Sequence, residues 1–87
     1  MGYDLIWHED SVKDLKTINR KSARLIIDKV KTLLISDPIK SGTPLKGGLK
    51  GFRRFRVGAY RVIYTIDHSE NKVIILKINH RKSVYKH

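Results

Sequence analysis

Residues 52–64 have the sequence FRRFRVGAYRVIY, in which basic residues alternate with apolar or aromatic ones. This is the period of a β-strand, whose successive side chains point to opposite faces of a sheet. The dipeptide Gly58-Ala59 in the middle predicts a tight corner between two strands, residues 52–57 and 60–66. We therefore expect a hairpin with one face on a hydrophobic core and with arginines that form a phosphate-binding surface.

The segment before the hairpin predicts one strand and two helices. Residues 3–8 are short and apolar-rich, which indicates a first strand. The acidic residues that follow are typical of a helix N-terminus, where the helix dipole is positive. Asn19 marks a break and the cap of a second, amphipathic helix. The dipeptide Asp37-Pro38 is expected to end that helix, because the residue before proline avoids the helical conformation.

The remaining segments complete the predicted fold. Residues 41–51 form a glycine-rich basic loop, residues 67–71 form a polar turn, and residues 72–79 form an apolar strand expected to be buried on both faces. The order predicts an α+β fold with an N-terminal strand, a helical hairpin and then an antiparallel β-sheet. We expect one domain over residues 1–87.

The positive charge is concentrated in the second half of the chain. The formal net charge is +11 at pH 7; residues 1–37 carry seven Lys/Arg against six Asp/Glu, and residues 38–87 carry twelve against two. A polyanion, most simply a nucleic acid, is the expected partner. The alternative is a solvated sheet face rich in arginine. On that alternative, repulsion between the neighbouring arginines would destabilise the sheet with no interaction to compensate for it.

Composition excludes several other classes of protein. The chain has no cysteine, and its four histidines are scattered. We therefore expect no disulfide, no metal and no cofactor. The N-terminus lacks the order of a signal peptide, and the apolar runs are too short to span a bilayer, so we expect a cytoplasmic protein without membrane contact. The glycine-rich loop lacks the ending of a nucleotide-binding P-loop.

The C-terminal tail provides a second functional pattern. Residues 80–85, HRKSVY, bring an imidazole, a guanidinium, an ammonium and a phenol close together in sequence. RNA cleavage through its own 2′-hydroxyl needs a base, cations that stabilise the phosphorane and an acid for the leaving oxygen. The tail and the arginine strand together can supply these groups without metal. On simpler interpretations His80 is a surface histidine and Tyr85 anchors the C-terminus, although Tyr85 can equally stack on an unpaired base.

Two motifs make the chain resemble the RelE/ParE toxin superfamily, on its RelE side. They are LKGGLKGFRRFRVGAYRVIY at residues 45–64 and NHRKSVY at residues 79–85, and the similarity covers essentially the whole chain. The resemblance implies a compact fold like that of microbial ribonucleases and a toxin of a type II toxin–antitoxin pair. Toxins of the RelE type cut mRNA in the ribosomal A site by a metal-independent transesterification that the 2′-hydroxyl initiates.

The resemblance also implies roles for individual residues. Arg61 matches the family's catalytic arginine, which stabilises the scissile phosphate, and Arg81 matches a basic position with a similar role. Tyr85 matches a C-terminal tyrosine that stacks on or orients the cleaved nucleotide. The residues expected to bind RNA phosphates are Lys46, Lys50, Arg53, Arg54, Arg56 and Lys82.

The proton acceptor is a separate question, because this chain has Phe52 where the best-known relatives carry a lysine. Arginine stays protonated and is a poor base. His80, which matches a histidine of several relatives, is the expected acceptor, with Lys46 and Lys82 as alternatives. Phe52 itself is expected in the core together with Trp7.

The expected partners are the ribosome with its mRNA and a cognate antitoxin with an acidic, partly disordered segment that folds on binding. Two other functions stay open. One is that of the ParE branch of the same fold, whose members poison DNA gyrase and cleave no RNA. The other is a non-catalytic RNA- or ribosome-binding module that uses the same basic face.

Overall fold

A computed structural model describes residues 2–46 and 51–80 of the chain, which form one sheet with helices packed on one face. The elements are β1 (Asp4–Trp7), α1 (Glu9–Thr17), α2 (Arg20–Lys29) continued by a π-helical turn (Val30–Leu34), α3 (Pro38–Ser41), β2 (Thr43–Pro44), β3 (Phe52–Val57), β4 (Tyr60–Asp67) and β5 (Lys72–His80). The strand order is β1-β5-β4-β3-β2. Every neighbouring pair is antiparallel except β1 and β5, which run parallel. The predicted α+β fold is confirmed.

The β3–β4 hairpin lies where the sequence predicts it. Val57 pairs with Tyr60 across a two-residue corner. Gly58 in that corner has a φ of 57°. This left-handed conformation suits glycine, which has no Cβ to clash with the backbone. The register of the hairpin, and with it the facing of every arginine, follows from this short connection.

Side chains at the helix ends explain where the helices begin. Asn19 Oδ1 accepts a hydrogen bond from the Ser22 backbone N–H at 2.9 Å, which confirms the predicted cap. His8 caps α1, since its Nδ1 accepts from the Asp10 N–H at 3.1 Å. Asp37 caps the short α3, which sequence analysis missed. The proline after Asp37 therefore ends one helix and also begins the next, as proline does at a first helical position.

The hydrophobic core lies between the helices and one face of the sheet. It includes one side of the second helix and alternate residues of the three longest strands. The buried apolar residues are Ile26, Val30, Leu34, Phe55, Val57, Val62, Tyr64, Val73, Ile75 and Ile78. No helix in the two described segments is long and apolar enough to cross a bilayer.

β5 differs from the prediction that it is buried on both faces. Val73, Ile75 and Ile78 are buried, but the residues between them are half-buried or exposed. Adjacent residues of β4 pair with Ile75 and Lys77, so Leu76 is an extra residue in the ladder. This β-bulge shifts the buried positions from odd to even numbers. One face of β5 is therefore open, despite its apolar sequence.

Candidate nucleic-acid interface

The open face of the sheet collects three arginines from the hairpin. Arg56 pairs with Arg61, and Arg54 pairs with Ile63. Residues that pair directly in an antiparallel ladder project from the same face. Arg54, Arg56 and Arg61 therefore share one face, which we call the arginine face. Sequence analysis left the facing of Arg61 undecided, and the two-residue corner decides it.

A groove of about 460 Å³ lies on the arginine face. Its described lining residues are Asp10, Leu45, Phe52, Arg61, Ile63, Leu76, Lys77 and Asn79. The register supports this grouping, because Arg61 pairs with Asn79 and Ile63 pairs with Lys77. The groove thus combines the cationic Arg61 and Lys77 and the acidic Asp10 with an apolar floor, and Lys77 Nζ lies 3.8 Å from Asp14 Oδ1. Such a lining suits a ligand with both polar and flat apolar parts.

Arg61 has an unused donor at this groove. Its Nε is buried and has no hydrogen-bond partner among residues 2–46 and 51–80. A buried donor without a partner costs about 1–3 kcal/mol, more for a charged group. In the same part of the chain, no close pair of acidic and basic side chains involves an arginine. The guanidinium of Arg61 is therefore not tied to an acidic side chain of the described residues.

The other two arginines of this face are exposed. Arg54 Nε donates to Thr43 Oγ1 at 3.2 Å, which orients its guanidinium along the edge of the sheet. Arg54 also lines a surface depression with Lys46, which is exposed. Lys46, Arg54 and Arg56 are thus exposed, and their role in binding RNA phosphates stays a prediction.

Arg53 lies on the opposite, helix-covered face. Its terminal nitrogen Nη2 donates to the carbonyl oxygens of Ile39 and Gly42, and its Nε donates to Tyr64 Oη at 3.3 Å. Tyr64 Oη in turn donates to the Pro38 carbonyl at 2.6 Å. These contacts fasten α3 and the segment after it to the sheet. They contradict the prediction that Arg53 binds RNA phosphates.

The cluster around Tyr64 is tightly packed. Burial of its phenol raises the pKa of Tyr64 above 10.0, although the neighbouring Arg53 acts in the opposite direction. Gly42 approaches so closely that a Cβ there would lie 2.1 Å from Tyr64 Oη and 2.6 Å from the Arg54 carbonyl oxygen. The cluster holds β3 in place from the side opposite the arginine face.

His80 also lies on the helix-covered face. It pairs with Tyr60 in the ladder, and the two rings are 5.0 Å apart at an interplanar angle of 88°. His80 lines a separate cavity of about 510 Å³ with residues of the first helix. Its neighbour Asn79 is the residue that faces the same way as Arg61. The geometry therefore contradicts the prediction that His80 takes a proton beside Arg61.

Four predicted site residues fall in the segments 47–50 and 81–87. Lys50, Arg81, Lys82 and Tyr85 lie outside the described residues, and their roles stay predictions. No group of three or more potential metal ligands occurs within residues 2–46 and 51–80.

Sequence analysis missed two residues of the groove. Phe52 was assigned to the core, yet it is 37% exposed. The alternation that turns Arg54 outward also turns Phe52 outward, so the sequence held this signal. Lys77 reaches the arginine face through the bulge at Leu76, and nothing in the strand's apolar pattern marks that extra residue.

The family model described as the ParE toxin of type II toxin-antitoxin system, parDE, matches residues 5–85. The chain is 33% identical to Toxin RelE of Mycobacterium tuberculosis over 76 residues, which cover 87% of this chain and 78% of that protein. It is 28% identical to Toxin RelG of the same organism over 86 residues, which cover 99% of each.

Solved structures show the same fold. The toxin–antitoxin complex RelBE2 from Mycobacterium tuberculosis contains a chain with a TM-score of 0.88 and 27% identity, with 93% of each chain covered. The archaeal RelE–RelB complex from Pyrococcus horikoshii OT3 gives a TM-score of 0.73 and 26% identity, with 93% of this chain and 97% of that chain covered. Fold, family model and relatives agree that this chain belongs to the RelE/ParE superfamily of type II toxin–antitoxin toxins.

Proposed function

We propose that this toxin is a ribosome-dependent endoribonuclease that cleaves mRNA in the A site without metal and so inhibits translation. The observation that carries the proposal is Arg61, whose buried Nε has no partner in the described part of the chain. Arg54 and Arg56 lie on the same face. A preorganised cationic donor at a developing negative charge is the largest single source of catalysis in many enzymes.

The proposed reaction uses the RNA's own 2′-hydroxyl. That hydroxyl loses its proton, its oxygen forms a bond to the adjacent phosphorus, the bond from phosphorus to the 5′-oxygen breaks, and the 5′-oxygen takes up a proton. The products are a 2′,3′-cyclic phosphate and a 5′-hydroxyl. Arg61 stabilises the charge on the phosphorane, and Arg81 and Tyr85 are expected to contribute from the tail. Arginine stays protonated, so other groups must move the two protons.

Asp10 is a further possible proton acceptor. It lines the same groove as Arg61, and a carboxylate oxygen can act as a general base. We therefore include Asp10 with Lys46 and Lys82 in the set to be tested, in place of His80. Asp10→Asn keeps the size and removes the base, so the pH dependence of cleavage in that variant decides its role.

We infer that the arginine face also binds a cognate antitoxin. The relatives of known structure include toxins solved with RelB antitoxins. The net charge of +11 favours an acidic partner segment that folds on binding. Charge complementarity of this kind speeds association and makes it sensitive to salt.

The test is inducible expression in bacteria of the wild type beside Arg61→Ala and Tyr85→Ala, with growth followed and mRNA 5′ ends mapped. Growth arrest with new cuts inside translated frames, absent in both variants, is the expected result. Arrest without such cuts would favour gyrase poisoning, the activity of the ParE branch. No arrest in any strain would favour a binding module.

A further inference from the structure

Phe52 places an aromatic ring on the arginine face. Its side chain is 37% exposed, against 8% for Phe55, the other phenylalanine of β3. Phe52 pairs with Thr65 and alternates with Arg54, so the ring projects on the same side as the arginines. Strand alternation exposes it, and the ring is not part of the buried core.

The backbone around Phe52 is fixed on both sides. β3 lies between β2 and β4, and the Phe52 carbonyl accepts a hydrogen bond from the Leu45 N–H at 2.9 Å. Thr65 Oγ1, on the opposite strand, donates to the Gly51 carbonyl at 2.9 Å. An aromatic side chain with two rotatable bonds on such a backbone loses little conformational entropy when it binds a ligand.

The surroundings of the ring favour a nucleotide over a peptide. Phe52 lines the groove with Ile63 and with the cationic Arg61 and Lys77. Arg54 lies two residues along β3 from Phe52, about 7 Å away. An unpaired nucleotide offers a flat base to the ring and an anionic phosphate to a guanidinium. An apolar peptide side chain would cover the ring but would bring no anion to Arg61 and Lys77, which line the same groove.

We propose that Phe52 stacks on an unpaired base of the bound mRNA, beside the nucleotide whose phosphate Arg61 contacts. This inference rests on the proposed function and adds a residue that contributes to the preference of the toxin for particular codons. Stacking tolerates every base but is stronger for larger rings. The toxin therefore prefers a purine at the position that lies on Phe52, and that preference comes from the ring and not from hydrogen bonds.

The experiment measures binding of the full-length toxin to ribosomes programmed with mRNA that carries 2′-deoxy sugars in the A-site codon and so cannot be cleaved. Matched mRNAs carry an abasic site at each codon position in turn. Wild type is compared with Phe52→Ala, Phe52→Leu and Phe52→Trp. Leu25→Ala is the matched control, because Leu25 is 48% exposed and lies on α2, on the side of the sheet opposite the arginine face. Thermal unfolding verifies that each variant is folded.

For intact mRNA, Phe52→Ala should weaken binding by roughly 5- to 150-fold, the range for loss of one base–aromatic stack. Phe52→Trp should retain the affinity and Phe52→Leu should not. The mRNA that is abasic at the stacked position should bind wild type and Phe52→Ala equally. Leu25→Ala should bind like wild type.

Equal weakening by Phe52→Ala on intact and on every abasic mRNA would overturn the stacking role, as would full rescue by leucine. Unchanged binding of Phe52→Ala to ribosomes, together with weaker binding to the purified antitoxin, would assign Phe52 to the antitoxin interface instead. In either case cleavage by the wild type and its loss in Arg61→Ala would leave the proposed function standing. A wild type that neither binds nor cuts on programmed ribosomes would overturn both.

Discussion

The two faces of the β3–β4 hairpin use the same type of residue in opposite ways. On the helix-covered face, Arg53 donates to two backbone carbonyls and to the Tyr64 hydroxyl. On the arginine face, Arg61 has a buried Nε with no partner among the described residues. Arg53 and its neighbour Arg54 differ by one position in a strand, and that position decides whether the side chain bonds to the helix side or lies exposed on the arginine face. Residue type alone therefore does not identify a phosphate-binding arginine.

Alanine at one arginine of each face should separate these roles most strongly. Arg61→Ala should lower the cleavage rate on programmed ribosomes by about 100- to 1,000-fold, as loss of one preorganised donor does, and should leave the free energy of unfolding unchanged or higher. Arg53→Ala should instead lower the free energy of unfolding by about 1–3 kcal/mol, because carbonyls on the helix side lose their donor. Cleavage assays on programmed ribosomes measure the first effect and urea unfolding measures the second, each on both variants. Similar losses of activity at equal stability would contradict the division between the faces.

Gly42→Ala is expected to disturb the helix-covered face alone. The added Cβ would lie 2.1 Å from Tyr64 Oη and 2.6 Å from a backbone oxygen, so the structure must shift. Overpacking of this kind lowers the free energy of unfolding by about 1–3 kcal/mol. Gly2→Ala is the control, since nothing lies within 4 Å of a Cβ there. Equal stability of the two variants in urea would show that the cluster is looser than the structure indicates.

Tyr64→Phe removes the hydroxyl that joins Arg53 to Pro38. The free energy of unfolding should fall by about 1–2 kcal/mol, because the buried Pro38 carbonyl loses its donor. The wild type should also lose stability as the pH rises above 10.0: burial raises the pKa of Tyr64, so the folded state keeps a proton that the unfolded state releases. Between pH 8 and about 11, the free energy of unfolding should therefore decline less in Tyr64→Phe than in the wild type. Parallel curves for the two proteins would contradict this assignment.

Substitutions of Asp14 should have the smallest effect. Asp14 lies in α1, and its carboxylate contacts residues of β5. Its Oδ2 accepts from the Ile78 backbone N–H at 2.8 Å, and its Oδ1 lies 3.8 Å from Lys77 Nζ. Asp14→Asn keeps an acceptor and loses only a long, partly exposed ion pair, so the free energy of unfolding should change by less than about 1 kcal/mol. Asp14→Ala also loses the acceptor and should cost about 1 kcal/mol more. If asparagine is as damaging as alanine in urea unfolding, the charge matters more than the hydrogen bond.

Local rules predicted much of the fold and part of the site. Asn19 was predicted as a cap, and Gly58 was predicted at the hairpin corner; the structure confirms both. Alternation within β3 correctly separates Phe55 from Arg54 and Arg56. The same rule would have placed Phe52 on the arginine face, but its size and hydrophobicity favoured a core assignment. Here the sequence held the information and the interpretation missed it.

Other features depend on contacts that no local pattern encodes. The extra residue Leu76 in β5 is visible only against the register of β4. The dipeptide Asp37-Pro38 was interpreted as the end of a helix, and the short α3 after it is held by a side chain from β3. His80 pairs with Tyr60 across the ladder and therefore lies on the face opposite Arg61.

The sequence by itself determined the first strand, the two longer helices, the three longest strands, the hairpin corner and the basic character of the second half. Each of these rests on neighbours a few residues apart or on composition. Tertiary structure alone decided which side of the sheet the helices cover, and therefore which arginine stays available. Arg53 reaches its carbonyl partner from 14 positions away and Tyr64 reaches Pro38 from 26. Such contacts form only when the chain packs, since their energy depends on distances that the linear order of residues does not contain.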